Sequence, residues 1–243
     1  MEKIYSYFKQ ETGLELSEKQ LQQFERYFEM LVETNKVMNL TAITEREDVI
    51  LKHFIDSIAL VQCEYFKKNI CLSDKTRIID VGTGAGFPGI PLKIVYPCIN
   101  LTLFDSLNKR IGFLNTVIET LGLTNCEAIH SRAEDGARNP KLREQYDIAV
   151  SRAVANMAVL SEYCIPFVKE GGFFIPYKTD KIEEELETGK KAIKLLGGKI
   201  ADVASITLPS SDIKRSFVFI NKTTKTPKQY PRKSGIVSKQ PLL

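Results

Sequence analysis

Twelve consecutive residues, Ile78-Ile79-Asp80-Val81-Gly82-Thr83-Gly84-Ala85-Gly86-Phe87-Pro88-Gly89, carry the densest chemical signal in the chain. An apolar run, an acid and closely spaced glycines read as a strand turning into a helix over a bend. Glycine lets the backbone turn sharply there and lets a ligand approach it, so a nucleotide-like cofactor fits against the carboxyl end of the strand. Asp105 ends the next apolar run, 19 residues past Gly86, where an acid can reach ribose hydroxyls. Far upstream, His53 and Asp56 fall one turn apart on one helix face, placed to orient a base or each other.

Two cofactors compete for the bend. Gly84, Gly86 and Gly89 satisfy G-x-G-x-x-G, the dinucleotide fingerprint, which opens the alternative of an NAD(P)-binding oxidoreductase. That frame starts late after the strand and puts Pro88 inside the loop. The frame Gly82-x-Gly84-x-Gly86, just after Asp80, resembles the first motif of class I S-adenosylmethionine (SAM) methyltransferases. SAM has no pyrophosphate for a helix N-terminus to bind, and a carboxylate near the loop favours its ammonium and sulfonium charges.

Periodicity predicts the elements that hold these groups. Up to about residue 70 the pattern is helical. Ser17 to Gln20 forms a capping box ahead of Leu21, Phe24, Phe28 and Leu31. Thr44 to Glu47 is predicted to form a second box, leading into the stripe Ile50, Phe54, Ile58 and Val61, with Asn39-Leu40-Thr41 a loop between the two helices. From about residue 76, short apolar runs alternate with helical stretches. Strands are predicted at Arg77–Val81, Ile99–Phe104, Cys126–His130, Tyr146–Ser151 and Phe173–Tyr177, then near 199–208 and 214–221 as a hairpin-like pair. Helices are predicted near 89–95, from a Ser106 cap through Ile111, Leu114, Ile118 and Leu121 to Gly122, near 155–164 and about 180–196. Pro176 sits awkwardly in the fifth strand. The alternation predicts an α/β fold with a doubly wound, mostly parallel, seven-stranded sheet of Rossmann-like type. The expected division is a helical extension over 1–70, a cofactor-binding domain over 71–221 and a basic tail over 222–243.

Composition narrows the class. Hydrophobic residues are 43% and charged residues 26%, as in a soluble protein with a real core. No apolar run approaches the roughly 18 residues of a membrane helix. Met1-Glu2-Lys3-Ile4 opens with mixed charge rather than as a secretory signal, so a cytoplasmic location is expected. Cys63, Cys71, Cys98, Cys126 and Cys164 are scattered and never spaced C-x-x-C, which argues against a disulfide framework or a metal site. Of the 34 basic residues, six (Lys222, Lys225, Lys228, Arg232, Lys233 and Lys239) lie in the acid-free tail, leaving 28 against 30 acids elsewhere. Such a tail either contacts phosphates or is simply solvated.

Several segments taken in order are more specific than the bend alone. They are Val37-Met38-Asn39-Leu40-Thr41-Ala42-Ile43, His53-Phe54-Ile55-Asp56-Ser57, the loop from Val81 to Pro91, Asp105-Ser106 with Lys109-Arg110 and Phe113-Leu114, Ser131-Arg132-Ala133-Glu134, Ser151-Arg152-Ala153, and Tyr230-Pro231-Arg232-Lys233-Ser234-Gly235. Over nearly the whole length this set resembles the RsmG/GidB family of 16S ribosomal RNA guanine-N7 methyltransferases. The resemblance implies SAM contacts at Gly82, Phe87, Ala133, Glu134 and Arg152, beside Gly84 and Asp105 of the glycine-bend reading. Glu134 follows the third strand and Arg152 the fourth, so both face the crevice outside the strand ends. The competing reading pairs Arg152 with Glu134 or Asp135 and packs Phe87 on the sheet. The chain departs from the family at Lys178-Thr179, where Lys-Gly is common.

The implied acceptor atom, guanine N7, carries an in-plane lone pair and no proton. Its attack on a methyl group is a direct displacement that needs positioning and electrostatics, not a base. No Cys nucleophile and no Asn/Asp-Pro-Pro-aromatic motif follows the fourth strand. No single indispensable acid–base residue is therefore predicted; His53, Asp56, Arg152 and Lys178 are positioning candidates. Asn39, Lys109, Arg110 and Arg132 are candidate RNA contacts, and the tail would add sequence-independent phosphate affinity. The resemblance points to a loop guanine of 16S rRNA on the small ribosomal subunit, with the chain acting as a monomer. The remaining alternatives are another RNA site or a small-molecule acceptor.

Overall fold

The computed structural model describes residues 2–12, 15–152, 155–180 and 182–243. Ala153 and Val154, which follow Ser151-Arg152 in the fourth-strand motif, lie outside these residues. The strands are β1 (Arg77–Val81), β2 (Asn100–Asp105), β3 (Cys126–His130), β4 (Tyr146–Arg152), β5 (Val168–Lys178), β6 (Gly198–Thr207) and β7 (Lys214–Lys222). They form one seven-stranded sheet ordered β3-β2-β1-β4-β5-β7-β6, with β1 to β5 parallel and β7 running against both its neighbours. The order reverses between β1 and β4. An open α/β sheet forms its crevice at such a switch point, outside the carboxyl ends of the strands. Ser151 Oγ ties the two strands there, donating to the Val81 carbonyl at 2.7 Å.

Strand side chains alternate between faces, and each face has its own core. Ile78, Leu103, Val150, Phe217 and Phe219 pack with Phe24, Tyr27, Leu31, Phe54 and Ile58. These last belong to α2 (Glu18–Met38) and the broken helix α3 (Arg46–Val49), a π-helical stretch Ile50–Ile55, and α4 (Asp56–Ile58). α1 (Glu2–Thr12), α5 (Glu64–Asn69), α6 (Gly89–Val95) and α7 (Asn108–Thr120) cover the same face. Ile79, Phe104, Ala149, Val218 and Ile220 pack the other way, against α9 (Met157–Cys164), α10 (Glu183–Leu195) and Tyr230. The helices before β1 thus share their core with the sheet.

Local signals account for most boundaries. The Ser17 box forms: Ser17 Oγ accepts from the Gln20 N–H and the Gln20 side chain accepts from the Ser17 N–H. Gln20 also donates to the Ile94 carbonyl at 2.7 Å, docking α2 on α6. The expected Thr44–Glu47 box does not form. Glu45 takes the cap position without a side-chain bond, because Glu47 pairs with Lys3 and Arg46 with Glu25, and these tertiary partners outcompete the local motif. Ser106 does not cap α7 either; Leu107 stands there, its N–H held by Asp105 Oδ1 at 2.9 Å. β5 is longer than expected and runs through Pro176. Its pairing to β7 uses Phe173, Phe174, Tyr177 and Lys178 and passes over the proline, which has no N–H to give.

The C-terminal segment, for which the sequence leaves phosphate contact and simple solvation both open, is docked on the fold over much of its length. Lys222 is the last residue of β7 and buried, donating to the Ile165 carbonyl and Thr226 Oγ1, and burial pushes its ammonium down to about 8. Arg143 donates to the carbonyls of Thr226 and Tyr230, and Arg138 to that of Pro231. Arg232 grips the fully buried Glu162 carboxylate through Nε and Nη2 at 3.0 and 2.6 Å. Two of the six tail cations are therefore spent inside the fold. Arg232→Gln leaves Glu162 buried without its counter-charge and should lower unfolding stability by about 3 kcal/mol in urea titration; an unchanged midpoint would show that the pair does not hold the segment.

Candidate active site

Two carboxylates build the bend after β1. Asp80 is fully buried, and its Oδ2 accepts from Thr83 Oγ1 at 2.6 Å and from the Gly89 N–H at 2.8 Å. Burial pushes this carboxyl up to about 7, against the pull of those two donors and of Arg152. Asp80 thus braces the bend from within. Asp105 Oδ2 accepts from the Gly84 N–H at 2.9 Å. Gly82, Gly84 and Gly86 all have positive φ, which side chains with a Cβ rarely adopt. At Gly86 a Cβ would also stand 2.4 Å from Ile90 Cδ1 and 2.7 Å from the Tyr27 hydroxyl. Tyr27, from α2, donates to the Ala85 carbonyl at 2.6 Å, so the N-terminal helices fix the bend directly.

A cavity of about 200 Å³ opens beside the bend at the ends of β1, β2 and β3, lined by Gly82, Asp105, Ser106, Ser131, Arg132, Ala133, Glu134 and Tyr163. Glu134 is buried, and no hydrogen bond or ion pair engages its carboxylate among the described residues. Arg110 reaches Asp105 Oδ2 at 3.3 Å, so it neutralises the cavity's acid, while Lys109 beside it is exposed. Gly84 has open space where a Cβ would be. An open backbone bend, a ribose-height acid and an unpartnered carboxylate suit an adenosyl group with cationic substituents.

A second cavity, about 590 Å³, lies over β4, β5 and β7 across the switch point, lined by Lys52, His53, Asp56, Arg152, Asn156, Tyr177, Lys178 and Arg215. Asp56 organises it. Its carboxylate is 2% exposed and accepts from Arg152 Nη1 at 2.9 Å and Arg215 Nε at 2.8 Å. Arg152 therefore pairs with Asp56, not with Glu134 or Asp135. Its Nη2 lies 3.2 Å from His53 Nδ1, and Thr41 Oγ1 lies 2.8 Å from His53 Nε2. Guanidinium only donates, so Nδ1 accepts and the Nε2–H points to Thr41. Phe87 stacks on His53 at 4.6 Å and lies 5.1 Å under the Arg152 guanidinium, which places it between the bend and this cavity. Lys178 pairs with Glu185 at 2.5 Å and donates to the Ala155 carbonyl.

Of the residues singled out in the sequence, His53, Asp56, Arg152 and Lys178 meet in the larger cavity, and Gly82, Asp105, Arg132, Ala133 and Glu134 in the smaller. Asn39 meets neither: it is the exposed left-handed cap of α2, at φ 50°. Sequence reasoning missed Arg215, Tyr177 and Tyr27. A basic residue opening a strand and aromatic residues at core spacing carry no local mark of a site. No helix among the described residues is long and apolar enough to cross a membrane, and no cluster of three His, Cys, Asp or Glu among them could hold a metal ion.

Burial and the neighbouring Arg152 push the His53 imidazole down to about 4. The neutral ring is thus the folded form. Its contribution to stability is complete above pH 6.5, the ordinary value, and is lost as pH falls toward 4. Proton NMR of the His53 ring should give a midpoint near 4, and His53→Gln should flatten the stability profile between pH 6.5 and 4. A midpoint above 6 would contradict the packing described.

Residues 20–215 match the family model GidB, rRNA small subunit methyltransferase G. The Ribosomal RNA small subunit methyltransferase G of Lachnoclostridium phytofermentans is 52% identical over 231 residues, covering 95% of this chain and 93% of that protein. Its namesake in Alkaliphilus metalliredigens is 50% identical, covering 96% and 95%. Among solved structures, a mutant form of MtNAS superposes with a TM-score of 0.55 at 16% identity over 82% of this chain and 74% of that one. Precorrin-6y C5,15-methyltransferase of Geobacter metallireducens gives 0.50 at 14% identity, over 67% and 88%; both likenesses concern the fold alone. On its match to the family model and its identity with these relatives along almost their whole length, the chain belongs to the GidB family, rRNA small subunit methyltransferase G.

Proposed function

We propose that the chain transfers a methyl group from SAM to N7 of a guanine in a loop of 16S ribosomal RNA, acting as a cytoplasmic monomer on the small ribosomal subunit. The observation that carries the reading is the state of the bases in the larger cavity. The His53 Nδ1 lone pair is taken by Arg152, Asp56 is gripped by two guanidiniums, and Glu185 is paired with Lys178. A site with its bases so engaged suits a nucleophile that has no proton to lose, and guanine N7 is one.

SAM belongs to the smaller cavity. Gly82 and Gly84 give it a backbone surface. Asp105, with lone-pair capacity beyond its present donors, takes ribose hydroxyls, and Ala133 and Glu134 take the adenine side. When bound, SAM supplies an electrophilic methyl on a sulfonium. Phe87 and Arg152 lie between the bend and the larger cavity and would orient the reacting groups. Displacement moves positive charge toward the acceptor side, where Arg152, Arg215, Lys178 and Lys52 already stand. Asp56, Glu185 and Asp48 offset three of these four charges; a phosphate of the entering nucleotide offsets the rest. An RNA acceptor fits that electrostatic demand better than a neutral small molecule. Lys109, Arg132 and the exposed tail lysines Lys233 and Lys239 are the proposed phosphate contacts around the mouth.

The decisive assay incubates the protein with labelled SAM and small subunits from cells lacking the gene, then maps the label. Label on N7 of one 16S guanine is expected, and Gly82→Asp, which fills the backbone surface with a charged side chain, should abolish both labelling and S-adenosylhomocysteine binding. Label in no RNA, or selective binding of NAD, would refute the reading. Arg215→Gln should raise KM for subunits about tenfold, as expected for a charge-assisted contact, and leave S-adenosylhomocysteine affinity unchanged.

A further inference from the structure

One wall of the smaller cavity meets the sheet through the Ser131 N–H, which donates to the Asp105 carbonyl at 3.1 Å. It is the turn from Ser131 to Glu134 leading into α8 (Ala133–Gly136), a helix of a single turn. So short a helix is not stable by itself, and its cap residue, Arg132, makes no side-chain capping bond. The next wall residue, Tyr163, comes from α9. Both walls are held by residues distant in sequence. Arg132 Nη1 donates to Ser234 Oγ at 2.8 Å, and Ser238 stands beside the Tyr163 hydroxyl. Ser234 and Ser238 flank Gly235, whose left-handed backbone (φ 81°) starts α11 (Ile236–Lys239). Val237, between them, is fully buried, and α11 packs on α9. Arg232, two residues before Ser234, is locked to Glu162 of the same helix. Just beyond α8, Arg138 and Arg143 hold the carbonyls of Pro231 and Tyr230.

We propose that the C-terminal segment is a preorganising clasp of the donor cavity, in which Ser234 and Ser238 fix the wall residues Arg132 and Tyr163. The clasp rests on the reading of that cavity as the SAM site. Ordering a loose wall at the moment of binding costs affinity, and a wall ordered beforehand does not. Ser234 and Ser238 are positioning residues: they act through Arg132 and Tyr163. This gives the segment a task separate from phosphate contact, since its exposed lysines point to RNA and its serines to the cavity wall.

The test is calorimetric titration of S-adenosylhomocysteine into the full-length protein and the variants Ser234→Ala, Ser234→Thr and Ser234→Ala/Ser238→Ala. The double variant should bind about three- to tenfold more weakly, the range of one ordinary hydrogen bond. Ser234→Thr keeps the hydroxyl and should retain wild-type affinity. In turnover, KM for SAM should rise more than KM for small subunits, with kcat constant. Wild-type affinity in the double variant, equal losses in Ser234→Ala and Ser234→Thr, or a rise confined to KM for subunits would overturn the clasp. A wild-type protein that binds no S-adenosylhomocysteine would instead refute the assignment of the cavity.

Discussion

The bend between β1 and α6 is held by buried carboxylates that collect its donors, and the site is arranged around that restraint. A glycine-rich turn has a large conformational entropy to lose on folding. Asp80 ties Thr83 and Gly89 to the end of β1, and Asp105 ties Gly84 and Leu107 to the end of β2. Tyr27 adds a third tie from a helix 58 residues upstream. With the bend fixed, the smaller cavity has a floor and Phe87 is delivered to the boundary with the larger one.

The larger cavity obeys the same logic with opposite charge. There one buried carboxylate, Asp56, holds two guanidiniums from β4 and β7. Its desolvation is offset only because both oxygens have charged donors. The consequence is a cation-rich chamber in which the candidate bases are engaged. The two cavities are therefore set apart by the switch between β1 and β4, each organised by its own acids, with Arg152 and Phe87 between the bend and the larger one.

Much of this was legible in the sequence because local rules decide it. β1 and β3 fall where alternation and turn residues place them, and the Ser17 box forms because both of its partners lie within one turn. The glycine bend, Asp105, Glu134 and Arg152 all lie at strand ends, which the βα alternation locates. What was not legible depends on distant partners. Asp56 meets Arg152 across 96 residues and Arg215 across 159, and no local pattern joins them. The basic tail could be read only as phosphate-binding or solvated because its charges are visible in sequence, whereas Glu162, Arg138 and Arg143, which dock it, are not adjacent to it. Thr44 failed as a cap for the same reason: Lys3 and Glu25 took the side chains that followed it.

The central claim is that the bend and the acids of the smaller cavity form the donor site. A crystal structure of the protein with S-adenosylhomocysteine tests it most directly. The ligand is predicted against Gly82 and Gly84, its ribose at Asp105, its adenine beside Ala133 and Glu134, and its sulfur toward Phe87 and Arg152. A ligand seated elsewhere, or a bend that accepts NAD and excludes S-adenosylhomocysteine, would contradict it.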